Sequence, residues 1–185
     1  YFKVENVIDG IYKVAELLYG IKFTEIKDVP VYHEEVRVFE VTENNGDFLS
    51  LFYIDLHPRE TKNGGAWMTY FRPQGLCDGK VERPQISIVG NLTPSTEEKP
   101  SLLTFDEVET IFHEFGHALH GMLSNVTYSF LASPDVYWDF VELPSQIMEN
   151  WLGEKETLQL FAKHYETQEN IPDELIEKIK ASQAF

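Results

Sequence analysis

The spacing of apolar residues changes near residue 100, and this change limits the folds that the chain can adopt. Before it, short β-rich runs with alternating side chains are separated by turn residues, which is typical of strands. After it, apolar residues recur every three or four positions, which is typical of amphipathic helices. We therefore predict an α+β fold, in which a small, mostly antiparallel sheet is followed by a helical half.

The same patterns place the individual elements. A first helix covers Val4–Tyr19, and Gly20 is a natural stop for it. Turn residues at 44–47 indicate that the first two β-rich runs form a hairpin. Thr104 and Glu107 form a capping-box pattern at the start of the second helix. The predicted strands are 35–42, 48–56, 66–71 and 85–92, and the predicted later helices are 104–123, 144–151, 154–166 and 172–184.

Composition argues against several classes of protein. The chain has 185 residues, of which 43% are hydrophobic, enough for one domain with a sizeable core. No apolar run reaches the roughly 20 residues of a membrane-spanning helix, so no membrane partner is expected. A net charge of −16 repels phosphate backbones and argues against nucleic-acid binding. This charge favours solubility, and a bias toward cationic ligands is the alternative interpretation.

The cysteine content bears on the redox compartment of the protein, and the two ends of the sequence bear on whether it is part of a longer protein. Cys77 is the only cysteine, so no internal disulfide can form, which suits a reducing compartment. The sequence opens at Tyr1 without a signal-peptide pattern, and residues 182–185 lie within a predicted helix. We therefore expect these residues to be an internal part of a longer protein.

The pattern H-E-x-x-H at residues 113–117 indicates the chemistry. In a helix, His113 and His117 share one face a turn apart, so both imidazoles can bind one zinc ion. Glu114 lies beside the first ligand and can act as the general base toward a zinc-bound water. A chance match on a solvated helix is the alternative explanation of so short a motif.

The rest of this helix suits a position at the edge of a cleft. An apolar stripe faces a core and leaves the two histidines to one side. Gly116 costs about 1 kcal/mol of helix stability relative to Ala, and a close neighbour such as a strand or a bound peptide would explain it. The stripe consists of Val108, Phe112, Phe115, Leu119 and Met122.

A catalytic zinc requires a third protein ligand, for which the sequence offers two candidates. His120 lies roughly 10 Å from His113 along the helix axis, too far to share one ion. It is expected to support the site, to line a pocket or to lie on the surface. Glu142 is the better candidate, because an acid in an apolar stretch is unusual and can return on another helix. The metzincin pattern fails, since it requires Gly at position 120.

Two further acids can hold the ligand imidazoles by hydrogen bonds. Asp139 precedes Glu142 by less than one helical turn, and a helix cap is the alternative role for it. Glu149 follows Glu142, and an ordinary surface acid is the alternative there. The sequence alone leaves both alternatives open.

Two stretches that contain these candidates are specific enough to point to a family. Residues 110–121 read TIFHEFGHALHG, and residues 139–146 read DFVELPSQ. Together they resemble the thimet oligopeptidase (M3) family of zinc metallopeptidases, and bacterial peptidyl-dipeptidases (dipeptidyl carboxypeptidases) most of all. The likeness spans essentially the whole chain, with support from residues 29–33, 36–38, 64–68 and 99–103.

The resemblance implies a site and a setting. It implies His113, His117 and Glu142 as ligands of one Zn²⁺ ion, and Glu114 as the catalytic base. It implies a cytoplasmic enzyme that cleaves short peptides in a channel between two mostly helical domains. The chain is then a fragment of a larger, zincin-type peptidase.

The resemblance also implies how the chain is divided. Residues 1–185 would form a single partial catalytic domain, with a helix and the sheet in 1–100 and the zinc-binding helices in 101–185. The strand near 86–92 is similar to the family's substrate-flanking strand, to which a bound peptide can add. Alternation alone favours an ordinary strand at that place.

Three functions follow as hypotheses. The first is a peptidyl-dipeptidase that releases C-terminal dipeptides from oligopeptides. The second is an endo-acting oligopeptidase of the same family. The third is a fragment that binds metal or peptide without significant catalysis. Family members continue past residue 185 into a region that supplies a His and Tyr residues for the oxyanion, so the remainder of the parent chain would be needed to complete the site.

Two places depart from the family's usual pattern. Ala132-Ser133-Pro134 stands where Ser-Gly-Thr is usual, and Trp138 stands where Arg is common. Pro134 locks the backbone and removes a hydrogen-bond donor, while Trp138 removes a charge. We expect both changes to affect substrate placement rather than zinc binding.

Overall fold

The first helix forms as the sequence predicts. The structure, a computed structural model, describes residues 1–183. Its first element, α1 (Val4–Tyr19), buries one apolar face against the core. Gly20 ends the helix in the left-handed region with φ 68°, and its N–H donates to the Glu16 carbonyl. Among residues 1–183, no helix is long and apolar enough to cross a membrane.

Seven β-strands follow α1 within residues 1–183. They are β1 (Ile21–Ile26), β2 (Arg37–Glu43), β3 (Phe48–Asp55), β4 (Trp67–Arg72), β5 (Gly75–Cys77), β6 (Lys80–Glu82) and β7 (Gln85–Val89). Five of them form one sheet in the order β1-β2-β3-β7-β4, while β5 and β6 form a separate antiparallel pair. Only the β3–β7 pair is parallel in the larger sheet, so the predicted mostly antiparallel sheet is confirmed.

The predicted hairpin is confirmed, whereas three strands are missing from the prediction. β2 and β3 pair antiparallel, and the side chain of Asn45 accepts a hydrogen bond from the Asp47 N–H in the turn between them. β1 escapes detection because it is an edge strand in which only Ile21 is buried. β5 and β6 have three residues each, too few to show a periodic pattern.

Five helices are present in the described part of the chain, four of them after the sheet. These four are α2 (Phe105–Met122), α3 (Leu143–Asn150), α4 (Lys155–Phe161) and α5 (Asp173–Gln183). The capping box of α2 is confirmed, since Thr104 accepts from the Glu107 N–H while the Glu107 carboxylate accepts from the Thr104 N–H. The order of strands first and helices after establishes the α+β class.

The predicted third late helix is too long. It was expected over 154–166, but α4 stops at Phe161 because the chain then folds back on itself. The Ile171 N–H donates to the Ala162 carbonyl, and Lys163 pairs with Asn170 in an isolated bridge. Residue 184, the last of the predicted helix 172–184, lies outside the described residues.

Aromatic packing fixes the orientation of α2 on the sheet. Phe112 and Phe115 of α2 and Phe52 of β3 are fully buried, and the ring centroids of Phe52 and Phe115 lie 5.7 Å apart. Burying each such side chain contributes about 1.5–3 kcal/mol. Any rotation of α2 about its axis would expose these rings, so the packing determines which α2 residues face the neighbouring cleft.

Candidate metal centre

Helix α2 presents both motif histidines on one side. Because Phe112 and Phe115 point into the core, the side chains of His113 and His117 remain 28% and 12% exposed. Their ring centroids lie 4.9 Å apart, as expected for positions one helical turn apart. The two imidazoles can therefore bind the same metal ion.

Gly116 allows α3 to approach this side of α2 closely. A Cβ atom at position 116 would lie 2.5 Å from the Pro144 carbonyl oxygen and 2.5 Å from Ser145 Cα. The close neighbour that the sequence required is thus the start of α3, rather than a strand or a bound peptide. This contact brings the residue just before α3, Glu142, next to the histidines.

Glu142 meets both imidazoles. Its Oε2 atom lies 3.2 Å from His113 Nε2 and 3.1 Å from His117 Nε2. One ligand atom from each of these three residues lies within 4.8 Å of the other two, close enough to surround one metal ion. Ser145 Oγ donates a 2.8 Å hydrogen bond to the same Glu142 oxygen, which orients the carboxylate. Ser145 is absent from the predicted site residues, although its i, i+3 spacing from Glu142 indicates that the two side chains can meet.

Glu149 lies on the far side of the first imidazole. Its Oε1 atom accepts a short hydrogen bond from His113 Nδ1. In the neutral imidazole with its proton on Nδ1, the Nε2 atom that faces Glu142 can bind a cation. The acid and imidazole therefore have the arrangement in which a carboxylate orients a metal-binding histidine.

Asp139 and His120 lie elsewhere. Asp139 is exposed, and within residues 1–183 no hydrogen bond joins its carboxylate to either ligand imidazole. It is not the cap of α3 either, because Glu142 occupies that position. His120 lines an apolar groove with Phe140, whose ring centroid lies 5.9 Å away. In this structure Asp139 therefore neither contacts a ligand imidazole nor caps α3, and His120 is a pocket residue.

Glu114 lines the cleft beside the histidines. Burial raises the pKa of Glu114 to about 6, against the opposing effect of the nearby His113. Its Oε2 atom is buried without a hydrogen-bond partner among the described residues. Such an oxygen is costly unless a ligand or water meets it, so the carboxylate is poised to accept a proton near neutral pH.

The protonation states of His117 and Glu142 favour the binding of a cation. Burial lowers the pKa of His117, which favours the neutral imidazole that binds metals. The hydrogen bond from Ser145 lowers the pKa of Glu142 and favours the carboxylate. Both groups are therefore in their metal-binding forms at neutral pH without the help of an ion.

The cleft around these residues has a volume of about 360 Å³ and is lined on one side by β4. β4 is an edge strand of the sheet, whereas β7 pairs with β3 on one side and with β4 on the other. The expectation that a peptide adds to the strand near 86–92 is therefore wrong, because both of its edges are occupied. The open edge beside the site is β4, whose position at the edge no local sequence pattern indicates.

Comparison with known proteins finds peptidases among the relatives of this chain. Oligopeptidase A of Escherichia coli strain K12 is 43% identical over 187 residues, covering 100% of this chain and 28% of the relative. Dipeptidyl carboxypeptidase of the same organism is 41% identical over 186 residues, covering 100% of this chain and 27% of the relative. Organellar oligopeptidase A of Arabidopsis thaliana is 41% identical, covering 100% of this chain and 24% of the relative.

The coverage of these relatives and the match to a family profile identify the protein family. The chain spans about a quarter of the length of these curated relatives. Identities of 43% and 41% do not separate the oligopeptidase from the dipeptidyl carboxypeptidase. The profile of Peptidase family M3 matches residues 1–185, the whole chain. The resemblance seen in the sequence is confirmed, and the chain belongs to peptidase family M3.

Proposed function

We propose that this chain is the metal-binding core of a zinc-dependent peptidase that cleaves short oligopeptides. The observation that carries the proposal is the convergence of His113, His117 and Glu142 beside the half-buried carboxyl group of Glu114. A purely structural zinc site is usually closed and rich in cysteine, whereas this group contains no cysteine and opens onto a cleft.

The donor set fits zinc. Two imidazole nitrogens and one carboxylate oxygen are ligands that catalytic zinc ions take in peptidases. When bound, zinc polarises the scissile carbonyl as a Lewis acid and lowers the pKa of water. In this arrangement Glu149 would orient His113, and Ser145 would orient Glu142.

Glu114 is assigned the proton transfers. As the attacking water forms its bond to the carbonyl carbon, the Glu114 carboxylate takes a proton from it. The same carboxyl group then gives that proton to the amine nitrogen as the carbon–nitrogen bond breaks. A pKa of about 6 suits both directions, because the group is mostly ionised at neutral pH yet holds a proton readily.

The substrate is proposed to lie along β4. This strand borders the cleft and has a free edge, so the backbone of an extended peptide can pair with it. Short, unfolded peptides fit this arrangement, since a folded domain has few free strands to offer. With a net charge of −16, the chain is not expected to bind nucleic acid. A cytoplasmic location is part of the same proposal.

Release of C-terminal dipeptides is the favoured specificity, and internal cleavage is the alternative. Similarity to a protein named dipeptidyl carboxypeptidase and to others named oligopeptidase A supports both. Peptides with an amidated C-terminus distinguish them. A peptidyl-dipeptidase should cleave such peptides poorly, whereas an endo-acting enzyme should cut them as well as the free acids.

A second candidate function is binding without turnover. It is favoured by the short span of the chain, about a quarter of its relatives' length, because groups that stabilise the oxyanion can lie outside it. Losing each such donor costs about 10²–10³ in rate. We therefore expect residues 1–185 in isolation to bind zinc but to be at most weakly active.

The test of the proposed function is Glu114→Gln in the full-length protein. The substitution keeps the shape of the side chain but removes the proton acceptor, so zinc content should stay near one ion per chain. The rate of peptide cleavage should fall by at least about 10²-fold, in the range typical of general-base loss. Turnover close to that of the unaltered protein would remove Glu114 from this role.

A further inference from the structure

The segment 90–93 follows β7 and is held in place by the end of β3. The N–H groups of Gly90 and Leu92 donate to the last main-chain carbonyl of β3 and to the one after it, both at 2.8 Å. These bonds continue the parallel pairing of β3 with β7. Asn91 lies between the two bonded residues, so its main chain is fixed and its side chain can hold another part of the chain in a defined place.

The side chain of Asn91 holds the β4 entrance, by which we mean residues 63–66. Its Nδ2 atom donates to the Asn63 carbonyl oxygen and to the Gly65 carbonyl oxygen, both at 2.8 Å. Both N–H groups of the amide are therefore used on main-chain atoms. The main-chain pairing of β4 with β7 begins only at Trp67. Asn91 thus extends the attachment of this edge strand beyond its first residue.

The other end of the segment 90–93 is bonded to α2. Glu107, in the first turn of α2, accepts from the Thr93 N–H at 2.7 Å and from the Thr93 hydroxyl at 2.9 Å. The same helix carries His113 and Glu114. The segment therefore connects the helix of the metal centre to the β4 entrance on the opposite side of the cleft.

The β4 entrance borders the cleft close to the proposed base. Ala66 and Met68 line the cleft together with Glu114. Burial raises the pKa of Glu114, and a main-chain group of Met68 acts in the opposite direction, so these two residues lie close together. Gly65 lies three residues before Met68, which is about 10 Å along an extended strand. A peptide that pairs with β4 and has its scissile bond near Glu114 would reach the entrance about two or three residues further on.

We propose that Asn91 is a positioning residue, which holds the β4 entrance where it can pair with the part of a bound peptide that lies beyond the scissile bond. The inference rests on the proposed function and adds to it a residue that acts on the substrate through the main chain of residues 63–66. When the amide donors of Asn91 are lost, the entrance can move away from β7, and the peptide loses main-chain partners there. The metal centre, which α2 and α3 hold, should stay intact.

The test is Asn91→Asp in the full-length protein. The new side chain has the same shape but, as a carboxylate, has no N–H to donate, so its oxygens would face the carbonyls of Asn63 and Gly65. Two sets of peptides are compared, one lengthened residue by residue before the cleaved bond and the other lengthened after it. Zinc content, kcat and KM are measured separately for each protein.

The expected result is a change in how KM depends on peptide length. In the unaltered protein, KM should fall about two- to tenfold once the peptide reaches the β4 entrance on one side of the bond, the gain typical of one hydrogen bond. Asn91→Asp should remove most of this gain, while zinc content is unchanged and the shortest peptides keep kcat and KM within about twofold. Asn91→Ala removes the donors without adding a charge and should act in the same direction. A rise in KM that is equal for short and long peptides, or a loss of stability with the length dependence unchanged, would overturn the proposal.

Gln168→Glu is the matched control. The amide of Gln168 also donates to two main-chain carbonyls, those of His164 at 3.3 Å and Tyr165 at 3.1 Å. It follows α4 and does not line the cleft. The same change from amide to carboxylate should therefore leave the dependence of KM on peptide length as it is. An equal effect in the two variants would mean that added negative charge is the cause, and would overturn the role of Asn91.

A binding measurement separates failure of this inference from failure of the proposed function. If the unaltered protein cleaves no peptide, the proposed function fails, and Asn91 is judged by the dissociation constants of the same peptides. Peptides that reach the β4 entrance should bind the unaltered protein about two- to tenfold more tightly than shorter ones, and Asn91→Asp should lose this difference. The same length dependence in both proteins, or no binding of any peptide, would overturn the inference.

Discussion

Gly116→Ala should weaken metal binding by moving α3, although it improves the intrinsic helix propensity of α2. The added methyl would lie 2.5 Å from the Pro144 carbonyl oxygen and 2.5 Å from Ser145 Cα. Both atoms belong to the backbone of α3 and cannot rotate away. An ordinary contact needs at least 3.4 Å, so the two helices must separate by roughly 1 Å at this point.

The consequence for the site follows from the position of Glu142. This residue immediately precedes α3, so a shift of the helix carries its carboxylate away from His113 and His117. Zinc–ligand distances tolerate deviations of only about 0.2 Å. We expect zinc affinity to fall about 10- to 100-fold, the range found when a ligand loses its orientation. Overpacking should cost about 1–3 kcal/mol of stability, partly offset by about 1 kcal/mol of helix propensity.

Gly121→Ala provides the matched control on the same helix. The three atoms nearest its added methyl belong to side chains rather than to the backbone, with Ile86 Cδ1 nearest at 2.8 Å, so a rotation of that side chain can relieve the contact. The assay is zinc competition against a chromogenic chelator, with thermal unfolding recorded for both variants. Zinc affinity within twofold of the unaltered protein in Gly116→Ala would refute the argument that the α2–α3 contact positions Glu142.

Two further predictions concern other carboxylates. Glu149→Gln should lower zinc affinity about 10- to 100-fold with little change in stability, because a neutral amide is a weaker acceptor for the His113 Nδ1 proton than the carboxylate. Calorimetric zinc titration tests this, and unchanged affinity would contradict it. Burial alone would raise the pKa of Asp55, but hydrogen bonds from Arg59, Lys62 and Tyr32 outweigh it and lower the pKa to about 2. Because the pKa is lower in the folded state, the associated stabilisation of about 2 kcal/mol is complete above pH 4 and is lost as the pH falls toward 2. Urea unfolding from pH 5 to pH 2 should show this loss, and Asp55→Asn should largely abolish it; an equal pH dependence in both proteins would be the contrary result.

The local features of the site could be predicted because they depend on neighbouring residues. The capping box of Thr104 and Glu107 sets the start of α2, and the apolar stripe sets its rotation. Together they place His113 and His117 on one side. Gly116 is unfavourable for helix stability, and from this the sequence predicts a close neighbour at that position. Only the structure identifies this neighbour as the start of α3.

The parts that escaped prediction depend on contacts between distant segments. β7 lies between β3 and β4, and no local pattern reports that order, so the open edge at β4 was misplaced. β1 was missed because its alternation is weak at an exposed edge. Asp139 was given a role from its proximity to Glu142 in sequence, but the turn before α3 leaves its side chain in solvent. Outside a helix or strand, two residues that are close in sequence need not point their side chains in the same direction.

The central claim is that His113, His117 and Glu142 converge on one divalent cation. The most direct measurement is a crystal structure of the zinc-loaded protein with anomalous data recorded at the zinc edge. We predict one strong anomalous peak with His113 Nε2, His117 Nε2 and a Glu142 carboxylate oxygen at about 2.0–2.2 Å. A peak at another set of residues, or a zinc ion held by the two imidazoles with Glu142 turned away, would contradict the claim.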